Sequence, residues 1–148
     1  MNLGKKKIII FIISYKASFR ILDVYKRISF KDLKKYNIKV LLSDDNSKDD
    51  TMKYALNIKK KNKNIFLNEN KINIGYGAHI KKCLNFAIKK KFHHAVMIHG
   101  DGQYDPKYIT GLLKILIKGE NIGAATGSRI LRGFKKVYKG GMPFYKLM

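Results

Sequence analysis

Six consecutive apolar residues, Ile8–Ile13, five of them isoleucine, constrain this chain more than any other stretch. Crossing a bilayer takes about 20 apolar residues, so the run is too short to span one. A continuously apolar run of this length, rich in β-branched side chains, reads as a strand covered on both faces. Strands of that kind belong to parallel sheets with helices above and below. The pattern predicts a first strand over Lys7–Ser14. Lys5–Lys7 imitates the start of a signal peptide, but no small-residue cleavage site follows. A cytoplasmic chain is therefore expected.

The remaining sequence alternates in the same way. Ser18 is placed to cap a helix reaching about Lys35, with Leu22, Tyr25 and Ile28 or Ser29 inward. Ile38–Ser43 reads as the second strand. Ser47 and Asp50 then have the spacing of a capping box, and Met52, Ala55 and Leu56 follow at helical period. Ile65–Leu67 is a third strand, and Asn73-Ile74-Gly75-Tyr76-Gly77 turns into a helix whose inner face is Ile80, Leu84, Ala87 and Ile88. Ala95–Ile98 is a fourth strand, followed by a helix carrying Ile109, Leu112, Leu113 and Leu116, and Ile122–Thr126 is a fifth. Alternation throughout implies an α/β fold: a mostly parallel twisted sheet with helices on both faces. With 148 residues the chain has room for one domain, assigned to residues 1–132, with 133–148 a basic segment.

Charge narrows the partners. The net charge of +22 suits anionic ones: nucleic acid, an acidic membrane or phosphorylated ligands. The excess is nearly all lysine beside much isoleucine and asparagine, so an A/T-rich genome accounts for it equally well. No zinc pattern, RNP-like aromatic motif or basic recognition helix is present, which argues against nucleic acid. Gly75 and Gly77 begin a dinucleotide-binding pattern, but Ile80 takes the third glycine's place. The single cysteine, Cys83, excludes an internal disulfide and reads as core.

The acids are few and clustered. Of ten, six (Asp44, Asp45, Asp49, Asp50, Asp101 and Asp105) fall in two loops after strands. Asp50 and Asp105 have capping explanations, and Pro106 after Asp105 suits a first helical position. Asp44, Asp45 and Asp101 have none, and carboxylates placed together need a cation or hydrogen-bond donors. His99 and Asp101, two apart at a strand end, face the same way. Gly100 between them would let a ligand approach the backbone, and Gly102 would free the turn.

Five segments, in order, resemble family 2 glycosyltransferases of the GT-A fold, nearest the polyprenyl-phosphate sugar synthases and limited to their N-terminal part. Ile13-Ser14-Tyr15-Lys16-Ala17 is similar to Pro-x-Tyr-Asn-Glu, and Asp44–Thr51 to Asp-Asp-Gly-Ser-x-Asp-x-Thr. Asn73-Ile74-Gly75-Tyr76-Gly77 resembles the Asn-x-Gly-x-Gly helix start. His99–Pro106 resembles the Asp-x-Asp-Gly-Gln-x-Asp-Pro metal motif, and Gly127-Ser128-Arg129 matches Gly-Ser-Arg. The resemblance implies a sugar transferred from a UDP- or GDP-linked donor to a polyprenyl phosphate or a glycan, with Mg²⁺ or Mn²⁺ as cofactor. By position, Tyr15, Asp44, Asp45, Asn73, Gly75, Gly77, Gly100, Asp101 and Arg129 would bind the nucleotide sugar. Asp101, with Gln103 and His99, would hold the metal. Asp101 and Arg129 would carry catalysis by neutralising the leaving diphosphate. Peripheral contact with an anionic membrane on its inner face also follows.

Departures from the family pattern are His99 for the first Asp of the metal motif, Ala17 for Glu and Lys16 for Asn. Members usually continue well beyond the point where this sequence ends, so a fragment of a longer enzyme is expected. Two other readings compete: a non-catalytic relative, and a basic nucleic-acid-binding module.

Overall fold

The computed structural model describes residues 6–119 and 121–127. Its elements are β1 (Lys7–Ser14), α1 (Arg20–Lys26), β2 (Asn37–Asp44), α2 (Thr51–Lys61) and β3 (Ile65–Glu69), then α3 (Tyr76–Lys89), β4 (His94–His99), a 3-10 turn (Pro106–Tyr108) and α4 (Ile109–Lys118). The four strands run parallel in the order β3-β2-β1-β4, so the isoleucine run is an interior strand. Side chains alternate across it. Ile9, Phe11 and Ile13 pack with Leu41 under Cys83 and Ala87 of α3. Ile8, Ile10 and Ile12 point to the opposite face. There α1 and α2, packed on each other and on β1 and β2, bring the buried Ile21, Val24, Ala55 and Ile58. Helices on both faces of a parallel sheet are what the isoleucine run predicts.

The chain divides into two compact units, Met1–Thr110 and Gly111–Met148, and the whole sheet lies in the first. No helix among the described residues is long and apolar enough to cross a membrane.

Several local expectations are corrected. α1 ends at Lys26, and Ser18 does not cap it; the Ser18 hydroxyl donates to Asp49 instead, at 2.9 Å. Beyond Arg27 the chain folds in turns, where the Ser29 hydroxyl donates to Asp32 at 2.6 Å. Such local side-chain bonds offer the backbone an alternative to helix. The buried face of α1 is Ile21 and Val24, not Leu22 and Tyr25. No capping box forms at α2: Ser47 binds Asp44, and Asp49 accepts the Thr51 N–H at 2.9 Å. On α3, Ala87 is buried and Ile80 packs on the core as expected, but His79 and Cys83 complete the inner face while Leu84 and Ile88 face out. Residues 122–127 carry no strand, in keeping with the poor strand propensity of Gly123, Ala124 and Ala125. Asp105 and Pro106 behave as read, the Asp105 carboxylate accepting the Lys107 N–H at 3.1 Å.

Gly100 marks a close approach, and what approaches is the chain itself. A Cβ there would lie 2.1 Å from Ser14 Oγ, 3.1 Å from Ser14 Cβ and 3.4 Å from Ala17 Cβ. The Gly100 N–H donates to Ile13 O at 2.8 Å, so the backbone has little room to withdraw. Gly100→Ala is therefore expected to cost about 1–3 kcal/mol in urea unfolding, the usual range for overpacking. Adding Ser14→Gly should recover most of the loss; a double variant as unstable as the single one would place the strain elsewhere.

Candidate active site

β1, β2 and β4 end in register, with Ser14 beside Asp44 and Ile13 beside His99. Their outgoing loops leave together from the carboxyl edge of the sheet, the edge where parallel sheets gather ligand groups. A cleft of about 370 Å³ opens there. Of the residues expected at a site, it is lined by Tyr15, Asp45, Asn73, Gly75, His99 and Asp101. A larger cleft of about 550 Å³, lined by Leu33, Tyr36, Asn37 and Asn62 among others, contains no acid and no histidine. The chemistry belongs to the smaller one.

Asp45 organises one side of it. Its Oδ1 accepts the Ile74 N–H at 3.0 Å and the Asn70 amide at 2.7 Å, and its Oδ2 accepts the Gly75 N–H at 3.0 Å. These bonds pin the Asn73–Gly75 turn over the end of β2 and set where α3 begins. Gly75 sits at φ 79°, a conformation that side chains resist. Burial pushes the Asp45 carboxyl up. The Ile74 N–H, the Asn70 amide, His79 and the Gly75 N–H outweigh it and hold the group below the ordinary aspartate value. A carboxylate has about four acceptor positions, so one on Oδ2 is left for a ligand N–H.

His79 is buried beneath this turn, its Nε2 2.5 Å from Ser43 Oγ. Burial lowers its proton affinity; Asp45 and Asp44 oppose this, and Lys82 adds to it. The Asn68 amide donates to Ser43 Oγ at 2.9 Å, and Lys82 Nζ donates to Asn70 Oδ1 at 2.5 Å. A connected polar layer thus backs Asp45. Cys83 beside it is inert core, its thiol pushed up by burial.

Other expected residues are placed differently. Asp44 is buried and does not line the cleft; its carboxylate accepts the N–H and hydroxyl of Ser47. Ser47 Oγ in turn accepts the Lys16 N–H at 2.7 Å, and Thr51 Oγ1 accepts those of Ala17 and Ser18 at 3.0 and 2.8 Å. The acidic loop after β2 is therefore stitched to the loop after β1, and Tyr15, half exposed, is held at the mouth of the cleft. Gly77 is exposed on the first turn of α3, outside the cleft lining. Gln103 is exposed, and its N–H donates to Asp101 Oδ1 at 3.0 Å. Arg129, Ser128 and the segment 133–148 lie outside the described residues.

Ser14, Tyr76 and His79 also line the cleft and were passed over in the sequence. A signal existed for two of them: Ser14 precedes Tyr15 at the strand end, and Tyr76 lies between two candidate glycines. His79 had none beyond its distance from Gly75.

Metal affinity can be tested against these contacts. A Mg²⁺ or Mn²⁺ ion held chiefly by diphosphate oxygens needs one or two carboxylates from the protein. Asp101 fits, with Oδ2 uncommitted to the Gln103 N–H. Asp45 does not, since both its oxygens receive backbone N–H groups. His99 has its Nε2 3.1 Å from the Tyr76 hydroxyl. Among the described residues no three His, Cys, Asp or Glu side chains form a metal cage.

Residues 9–144 match the glycosyl transferase family 2 domain. The chain belongs to that family. Over 101 residues it is also 38% identical to an uncharacterized protein of Methanocaldococcus jannaschii. The match covers 67% of this family 2 chain and 44% of that relative, so the chain spans less than half of the relative's length. Its backbone explains two features of the family pattern. Asn46, at φ 62°, stands where the pattern has Gly, and Lys16, at φ 52°, stands where it has Asn. Gly and Asn are the residues that best tolerate this left-handed region.

Proposed function

We propose that the chain is the donor-binding half of a metal-dependent glycosyltransferase, taking a UDP- or GDP-linked sugar. The observation that supports this reading is the cleft at the carboxyl edge. It gathers Asp45, Asn73 and Gly75 on the side of β2 and His99 and Asp101 on the side of β4, with Tyr15 between. The free acceptor position of Asp45 suits the N–H of a nucleobase, and the exposed ring of Tyr15 suits its face. At the other side Asp101, with Gln103 adjacent, would hold Mg²⁺ or Mn²⁺ against the diphosphate. The ion supplies Lewis-acid neutralisation of charge on the leaving group. In transfer, the bond from the sugar C1 to the diphosphate oxygen breaks as the acceptor oxygen bonds to C1. Arg129 would neutralise phosphate oxygens as the diphosphate departs.

The acceptor in this reading is a polyprenyl phosphate or a glycan. A lipid phosphate is largely ionised at neutral pH and needs little general-base help. The +22 charge suits the anionic cytoplasmic surface where such a lipid would lie. Calorimetry with UDP-glucose and GDP-mannose, in Mn²⁺ and in EDTA, tests the donor reading. One donor should bind in Mn²⁺ and lose at least about tenfold in affinity in EDTA, the expected result of removing an ion that bridges protein and diphosphate. Equal affinity in EDTA would remove the metal from the reading, and no binding of either donor would end it.

A further inference from the structure

We propose that Tyr76 is a positioning residue that holds His99 as a hydrogen-bond donor to the diphosphate of the sugar donor, not as a ligand of its metal. The proposal rests on reading the cleft as a nucleoside diphosphate sugar site.

The Tyr76 hydroxyl lies 3.1 Å from His99 Nε2. The Tyr76 and His99 rings meet edge to face at 5.4 Å, and the Tyr104 ring meets His99 the same way at 4.8 Å. Two aromatic neighbours thus fix the plane of the imidazole while one hydroxyl fixes its edge. Between a phenol and an imidazole the stronger donor is the phenol O–H and the stronger acceptor is the sp² ring nitrogen. Tyr76 therefore donates and Nε2 accepts. A neutral imidazole whose Nε2 accepts carries its proton on Nδ1. Such a ring has no lone pair left for a metal. It has one N–H to give.

The cleft needs that N–H. Among the described residues that line it there is no lysine or arginine, while two acids, Asp45 and Asp101, are present. An anionic diphosphate entering beside Asp101 meets repulsion unless donors face it. His99 ends β4, Asp101 lies in the turn that follows, and both line the cleft. Where the family pattern has the first Asp of its metal motif, this chain has an imidazole with an N–H to give.

Two measurements test it. Nitrogen-15 NMR of the ligand-free 148-residue chain reads the imidazole directly, with the His99 signals assigned by their loss in His99→Asn. Nε2 should be unprotonated and Nδ1 protonated, and Tyr76→Phe should bring in the Nε2-protonated form. Calorimetry with UDP and with inorganic pyrophosphate follows, on variants whose melting is first checked. His99→Ala and His99→Gln should each lose about tenfold in affinity, as for one hydrogen bond to a charged acceptor. His99→Asn, whose amide N–H falls near the Nδ1 position, should stay within about threefold of wild type on the same scale. These ratios should be the same in Mn²⁺ and in EDTA. A protonated Nε2, equal losses for Asn and Gln, or an effect that vanishes in EDTA each overturns the proposal while the cleft reading stands. Failure of the wild-type chain to bind either probe, even with Mn²⁺, overturns the cleft reading itself.

Discussion

Asp101→Ala is expected to lower affinity for a nucleoside diphosphate sugar in Mn²⁺ about a hundredfold or more, with little change in melting temperature. The first half follows from position. Asp101 lines the cleft and is the carboxylate there whose second oxygen is not committed to a backbone N–H. An ion between protein and diphosphate contributes several kcal/mol, and each 1.4 kcal/mol is a factor of ten. The second half follows from what Asp101 does for the fold. Its Oδ1 accepts the Gln103 N–H at 3.0 Å within a surface turn, a bond of about 0.5–1.5 kcal/mol at most. A shift of no more than a few degrees is expected by calorimetry. A large fall in melting temperature would make Asp101 structural, and undiminished binding would take it out of the donor site.

Asp45 should behave in the opposite way, as a residue the fold depends on. Asp45→Ala takes the acceptor from two donors, the Ile74 N–H and the Asn70 amide, around a site that is 3% exposed, while the Gly75 N–H keeps Asn73 Oδ1 at 3.1 Å. Each buried unsatisfied donor costs about 1–3 kcal/mol, so a loss of about 2–5 kcal/mol is expected in urea unfolding at pH 7. Acid should expose the same dependence. The Asp45 carboxyl is held below its ordinary value in the folded chain, so its ionised form favours folding. That stability is complete above the unfolded value of about 3.9 and is lost as pH falls through the lower folded value. Asp45→Asn carries no such proton and lacks this loss. The gap between wild type and Asp45→Asn should therefore narrow from about pH 4 downward. Asp49, also held low against its burial by Thr51 and Ser18, contributes an acid sensitivity common to both proteins. A gap that stays constant from pH 7 to acid unfolding would show that the Asp45 charge is not what holds the turn.

Much of the frame was legible because its signals are local. An unbroken run of isoleucines has few ways to hide, and β1 occupies Lys7–Ser14 as read. Asp105-Pro106 forms a helix start within three residues, with no help from elsewhere. Helix faces were less legible. Leu84 and Ile88 are apolar at helical spacing, yet α3 turns His79, Cys83 and Ala87 inward. The phase of α3 is set where the chain enters it, at Gly75, and Gly75 is held by an aspartate 30 residues earlier. The strand expected at Ile122–Thr126 was read from an apolar run containing Gly123, Ala124 and Ala125, residues with little to hold a pleated sheet.

The site divides along the same line. From sequence alone came the parallel α/β frame, the family, and the loops that carry acids to the carboxyl edge of the sheet. Those depend on residue type and spacing, and strand periodicity carries each loop to a known end. Only the tertiary structure decided what each carboxylate does. Asp44 and Asp45 are adjacent and chemically identical, but Asp44, the last residue of β2, bonds Ser47, while Asp45, one residue past the strand, bonds Asn70, Ile74 and Gly75. Tyr76 and His99 lie 23 residues apart and meet because α3 begins above the end of β4. A hydrogen bond is a short, directional contact, and which donor reaches which oxygen is settled by packing between distant segments.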